Sequence, residues 1–199
     1  MNPLKSVTGT IVTGFILAIA IYIAAATSGF NLLALEVWLH VLAGVVWIGL
    51  LYYFNFVQVP GVGAALADSD GPGPAAINKY VAPRALLWFR WAAVATWITG
   101  IGALKNLPVP EGMNGAVAAF TFAENFEVIG LGAWLGTIML FNVWVFIWPN
   151  QKKILGIVDA TAEQIAKAKV TALMASRTNT VLSVPMLMTM VGYGHGLTF

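Results

Sequence analysis

Cysteine is absent from this 199-residue chain, and only two histidines, His40 and His195, are present. No cysteine means no disulfide, no thiolate metal site, no iron–sulfur cluster and no covalently attached c-type haem. Charge is almost as scarce. Only 9% of residues are Asp, Glu, Lys or Arg, where soluble domains carry about 25%. No phosphate-binding loop, nucleophile triad or zinc motif is present, and the formal charge of +2 gives no footprint for nucleic acid.

What fills the chain is hydrocarbon: 59% of residues are hydrophobic and the mean hydropathy is +0.83. The long unbroken apolar runs suit helices, not the alternating strands of a barrel. The expected class is an all-α integral membrane protein. It is a single domain, 1–199, in a lipid bilayer, built as a bundle of about five transmembrane helices near 9–28, 32–59, 84–104, 118–148 and 178–197. The N-terminal run resembles a secretion signal, with "AAATS" as a cleavage-like site. It is longer than the ~7–15 residues of such a region and reads as a retained first span. Pro60 and Pro149 are read as stops for the second and fourth spans. Ahead of the fifth, Asp159 or Thr161 is expected to cap a helix, with Gln164 completing a capping box after Thr161.

Lys and Arg set the expected orientation. With the N-terminus inside, one side collects Lys5, Lys79, Arg84, Lys152, Lys153, Lys167, Lys169 and Arg177, and the other only Lys105. The positive-inside rule then places the N-terminus in the cytoplasm and the C-terminus outside, across the cytoplasmic membrane of a prokaryote. Arg90 falls within the third span, either snorkelling to the interface or held in a buried ion pair.

The chain also resembles itself. Residues 41–55, "VLAGVVWIGLLYYFN", align without gaps to 128–142, "VIGLGAWLGTIMLFN", matching Val, Trp, Gly, Phe and Asn in one register. This suggests a parallel internal repeat, spans one and two against spans three and four, with the fifth added.

Ionisable groups inside a span normally face the bundle interior and mark function. Residues three, four and seven apart share a helix face, so Glu36, His40, Gly44, Trp47, Leu51 and Asn55 form one stripe. Glu127, Trp134, Ile138 and Asn142 form the matching one. His40 lies about eight residues, or ~12 Å, below the outer boundary. Glu36, Glu124, Glu127 and His195 fall in the same half. Three readings of His40 stand open. One is a packing histidine bonded to Glu36 or Glu127. Another is a metal or proton site built from His40, His195 and the glutamates. The third is axial ligation of haem b, with His195 as a second ligand, Gly44 and Gly130 giving a flat macrocycle room, and Glu36 or Glu127 orienting the imidazole.

Two stretches, "WLHVLAGVVWIGLLYYFNFVQVP" (38–60) and "ASRTNTVLSVPMLMTMVGYGH" (175–195), resemble the membrane domain of PuuD-type urate hydroxylases, the urate oxidase N-terminal domain family. The first matches at His40, Trp47, Gly49, Asn55 and Pro60. The second matches at Ser176, Arg177, Asn179, Thr180, Ser183, Pro185, Met186 and Leu187, with His195 following. The resemblance implies urate-linked redox chemistry. Full-length members carry a C-terminal cytochrome c domain with a CxxCH haem site, and these 199 residues contain no such site. The electron acceptor is therefore expected on another chain. The shorter pattern H-x6-W-x-x-G-x-x-Y is also similar to HemJ-type protoporphyrinogen oxidases, which implies haem b at His40. The expected function is a membrane-embedded, b-type-haem-like electron-transfer protein, an accessory subunit working with another chain in a larger membrane complex. A cofactor-free structural subunit and a urate-oxidising oxidoreductase are the alternatives.

Overall fold

A computed structural model of the chain describes residues 2–25, 29–109 and 111–198. Helices carry the fold, and the described residues contain no strand. By packing the chain divides into two units, Met1–Leu32 and Leu33–Phe199.

The first unit holds α1, Val7–Ala25. A 3-10 turn, Pro3–Lys5, leads into it, and the Ser6 hydroxyl accepts from the Gly9 amide at 3.0 Å, quenching one of the free donors at the helix start. None of its 19 residues is buried, so its apolar side chains suit a lipid surround. The final residues of the first expected span, 26–28, lie outside the described residues.

The second unit contains α2, Leu32–Ala67; α3, Ala82–Lys105; α4, Gly115–Phe120; α5, Glu127–Ile154; and α6, Ala162–Tyr193. With α1, helices α2 and α5 are long and apolar enough to cross a membrane. The capping box forms at Thr161 and Gln164, opening α6.

Pro60 and Pro149 do not end their helices, contrary to the sequence reading. Each follows a π-helical turn, Phe54–Gln58 before Pro60 and Asn142–Ile147 before Pro149. A third, Ile77–Val81, precedes Pro83 at the start of α3. In each case the residue before the proline donates its amide five residues back: Val59 to Phe54, Ala82 to Ile77 and Trp148 to Val143. A proline ring clashes with the carbonyl four residues earlier. Widening the turn by one residue moves that carbonyl aside, and the helix continues.

The fourth expected span, 118–148, is in fact two helices. The chain breaks between α4 and α5, where Phe122 and Asn125 adopt φ of 54° and 68°. The short α4 is capped by Asn114, which accepts from the amides of Ala116 and Val117. The fifth expected span corresponds to the later part of α6, which ends at Tyr193.

The core joins α2, α3, α5 and α6 around Trp47, Leu51, Phe89, Met139, Val143 and Met186. A second cluster, including Leu104, Ala119, Phe126 and Ile129, packs α4 between the end of α3 and the start of α5. Side-chain amides and hydroxyls bind α6 to its neighbours. The Asn55 amide donates to Ser176 Oγ at 2.8 Å, and Tyr52 Oη lies 2.9 Å from Ser183 Oγ. The Asn142 amide donates to Asn179 Oδ1 at 2.9 Å, and the Asn179 amide donates to the Met139 carbonyl at 2.9 Å. Asn179, Ser183 and Thr189 have no exposed surface. Polar links of this kind hold helices together where lipid removes the usual hydrophobic drive.

Candidate functional site

Glu36 and His40 sit one turn apart on α2 and both meet the C-terminal half of α3. His40 donates from Nδ1 to the Thr96 carbonyl at 2.7 Å. A carbonyl only accepts, so Nδ1 carries a proton, and in the neutral ring the lone pair is on Nε2. The same carbonyl accepts from Thr99 Oγ1 at 3.1 Å. Glu36 Oε2 accepts from the Asn106 amide at 2.8 Å.

Glycine makes this approach possible. A Cβ on Gly100 would lie 2.8 Å from His40 Cε1 and 2.9 Å from Nδ1, and one on Gly102 would lie 2.5 Å from Glu36 Oε1. The imidazole and the carboxylate therefore occupy the places that side chains on α3 would fill. Gly44 is different: a Cβ there would meet Thr96 Cγ2 at an ordinary 3.7 Å.

The imidazole is thus oriented by a backbone carbonyl, not by Glu36 or Glu127 as expected. Glu127 is exposed in the first turn of α5, where a carboxylate suits the positive end of the helix dipole. His195 lies in the turn beyond α6, exposed, and donates from Nδ1 to the Val191 carbonyl at 2.7 Å. Gly130 is taken up by α4, since a Cβ there would collide with the Ala119 carbonyl. Among the described residues no group of three or more His, Cys, Asp or Glu is placed to hold a metal ion.

Of the two matched stripes, the first faces the core at Trp47, 2% exposed, and Leu51, 0% exposed. The second does not: Trp134 and Ile138 are exposed, and Trp134 donates from Nε1 to the Phe120 carbonyl at 3.0 Å. The buried Trp47 Nε1 has no hydrogen-bond partner. The Arg90 guanidinium stacks over Trp148 at 3.8 Å from the ring centre, a cation–π pair.

The partners on α3 were missed in the sequence reading. Gly100, Gly102 and Asn106 carry the available signal in "TGIGALKN": two glycines in an apolar helix mark a close approach. Thr96 acts through its main chain, which leaves no mark in sequence.

Residues 113–199 match the family model described as urate oxidase N-terminal. The matched segment spans α4 to α6 and carries Ser176, Asn179 and His195. No curated protein matches the chain. No solved structure matches it either.

Proposed function

We propose that the chain is a membrane-embedded redox protein with a urate-oxidation-related role, in which His40 holds a b-type haem. The observation that carries this is the fixed tautomer of His40. Its Nδ1–H is bound by the Thr96 carbonyl, which leaves an Nε2 lone pair on a rigid helix. A metal-ligating imidazole is commonly oriented in this way by a carbonyl on its other nitrogen. The donor chemistry fits a haem with one protein ligand. His195 supplies a second lone pair if its turn reaches the same group. Haem bound there would supply one-electron exchange. The chain's own residues hold and aim the ligand: Thr96 sets the ring, Gly100 gives it space, and the Glu36–Asn106 pair closes the seam one turn away. Electrons would pass to a separate partner chain, in a larger membrane complex.

The same reading takes α1, α2, α3, α5 and α6 as five spans. At 24 residues, α3 is about 36 Å long, enough to cross. A parallel repeat is supported by Asn55 and Asn142, aligned in the two copies, which both reach α6 and both lie in π turns. The N-terminus is cytoplasmic in this arrangement.

The family match of residues 113–199 favours a second reading, an oxidoreductase that oxidises urate or a related heterocycle within this bundle. Protein purified after expression with added haem precursor separates the readings. A reduced-minus-oxidised Soret and α-band spectrum is expected, and His40→Ala is expected to abolish it. His195→Ala abolishes it only if both histidines ligate. A colourless wild-type preparation overturns the haem assignment. Urate-dependent reduction of the haem favours the enzyme.

A further inference from the structure

The three π turns converge on one place. Phe54 and Gln58 from the first, Asn78 from the second and Ile147 from the third all line a cavity of about 320 Å³ between α2, α3, α5 and α6. Turns of this kind often occur at functional sites, and the volume falls within the ~300–1,000 Å³ of small-molecule sites. Gln58 is 18 residues beyond His40, or roughly 27 Å along the helix, so this is a second place in the molecule.

Its position and lining suit an amphiphile. Added to the ~12 Å between the outer boundary and His40, those ~27 Å pass the ~30 Å hydrocarbon core and reach the opposing headgroups. This is the end of the bundle where cations gather: Lys79, Lys152 and Arg177 each follow a lining residue, Asn78, Gln151 and Ser176. Thirteen of the eighteen lining residues are apolar, so a hydrated anion alone would leave most of the wall against water. The lining residue Leu66 is 69% exposed, so the apolar wall continues onto the outer surface of α2. The polar remainder is specific. Among the described residues Lys169 is the one charged group of the lining, and no carboxylate borders the cavity to neutralise it. Gln58 Oε1 is buried without a hydrogen-bond partner, an acceptor in want of a donor.

We propose that this cavity holds an anionic phospholipid whose headgroup carries a free hydroxyl, of the phosphatidylglycerol class, with an acyl chain along the apolar wall and the phosphate toward Lys169. Chemistry separates this occupant from others. The phosphodiester supplies the negative charge that Lys169 lacks nearby, as anionic headgroups do in basic pockets between spans. The headgroup hydroxyl can donate, which satisfies Gln58 Oε1. A choline headgroup has no such donor. An ethanolamine headgroup donates, but it brings a second cation beside Lys169. A quinone offers only acceptors and leaves Gln58 Oε1 unpaired, at the cost that buried polar groups carry. The site stands whether or not the bundle binds haem.

The test is native mass spectrometry of the full chain, released from detergent after titration with phosphatidylglycerol, phosphatidylethanolamine and phosphatidylcholine of matched chains. Phosphatidylglycerol is expected to bind about fivefold more tightly than either of the others. Lys169→Met is expected to remove that preference. Lys167→Met takes away the same charge two residues earlier, outside the lining, and is expected to keep it. Val62→Trp fills the cavity and is expected to weaken retention of all three lipids. Lys169 is exposed, so Lys169→Met keeps the test valid if Val62→Trp unfolds, which a thermal melt will show. Equal retention of the three lipids by the wild type overturns the proposal. Equal loss in the two lysine variants does so too, since the attraction then belongs to the whole surface. Binding of glycerol 1-phosphate as tightly as the lipid, or of a short-chain quinone in preference to it, also overturns the assignment.

Discussion

Gly44 and Gly100 both stand in the seam between α2 and α3, but only one is irreplaceable. A methyl at Gly100 would press into the His40 ring at under 3 Å, while one at Gly44 would touch Thr96 Cγ2 at a normal distance. Gly100→Ala is therefore expected to cost about 1–3 kcal/mol through overpacking. Gly44→Ala is expected to be neutral, or to stabilise by up to ~1 kcal/mol as helical glycine is removed. Thermal melts of the two variants in one detergent check this, and equal melting points would show that His40 does not lie over α3. Glu36 and His40 were legible in the sequence because ionisable groups are rare in an apolar run. Their partners were not. The Thr96 carbonyl is backbone, and Gly100 and Gly102 act by what they omit.

At the scale of elements, proline misled the sequence reading and polar pairs did not. A proline usually ends a helix, but Pro60 and Pro149 sit inside continuous helices because a π turn precedes each. The break between α4 and α5 went unseen for the opposite reason. "FTFAENFE" holds no Gly or Pro, and the turn is made by Phe122 and Asn125 at positive φ. Helix periodicity cannot register two residues leaving the α region. The Thr161 capping box was legible because its partners are three residues apart. Asn179 anchors α5 to α6 through both of its amide atoms with no exposed surface. Asn179→Leu would leave the Asn142 amide without this partner and is expected to destabilise the fold by about 1–3 kcal/mol. A shift in the unfolding midpoint measures it; an unchanged midpoint means the α5–α6 contact does not depend on this link.

For the whole molecule, composition points to helices that cross a membrane, and the distribution of Lys and Arg predicts an orientation. The absence of cysteine makes the orientation directly testable. Single substitutions Asp70→Cys and Asp159→Cys are expected to resist a membrane-impermeant maleimide on intact cells. Glu111→Cys is expected to react. Labelling of all three rejects the five-span arrangement, and the reverse pattern rejects the orientation. Tertiary contact was the least legible level, because an apolar alphabet gives few marks of which helix meets which. The stripe from Glu36 through Leu51 located one core face correctly, whereas its counterpart on α5 left Trp134 and Ile138 outside.

The π turns carry one more implication, in the language of insertion and deletion. Each holds one residue more than an α turn, so it absorbs a single inserted position without rotating the helix that follows. The chain thus has three places, at Phe54–Gln58, Ile77–Val81 and Asn142–Ile147, where a helix can gain or lose one residue and keep its later faces in register. Related chains whose helices run straight through these places are expected to align here with a one-residue gap.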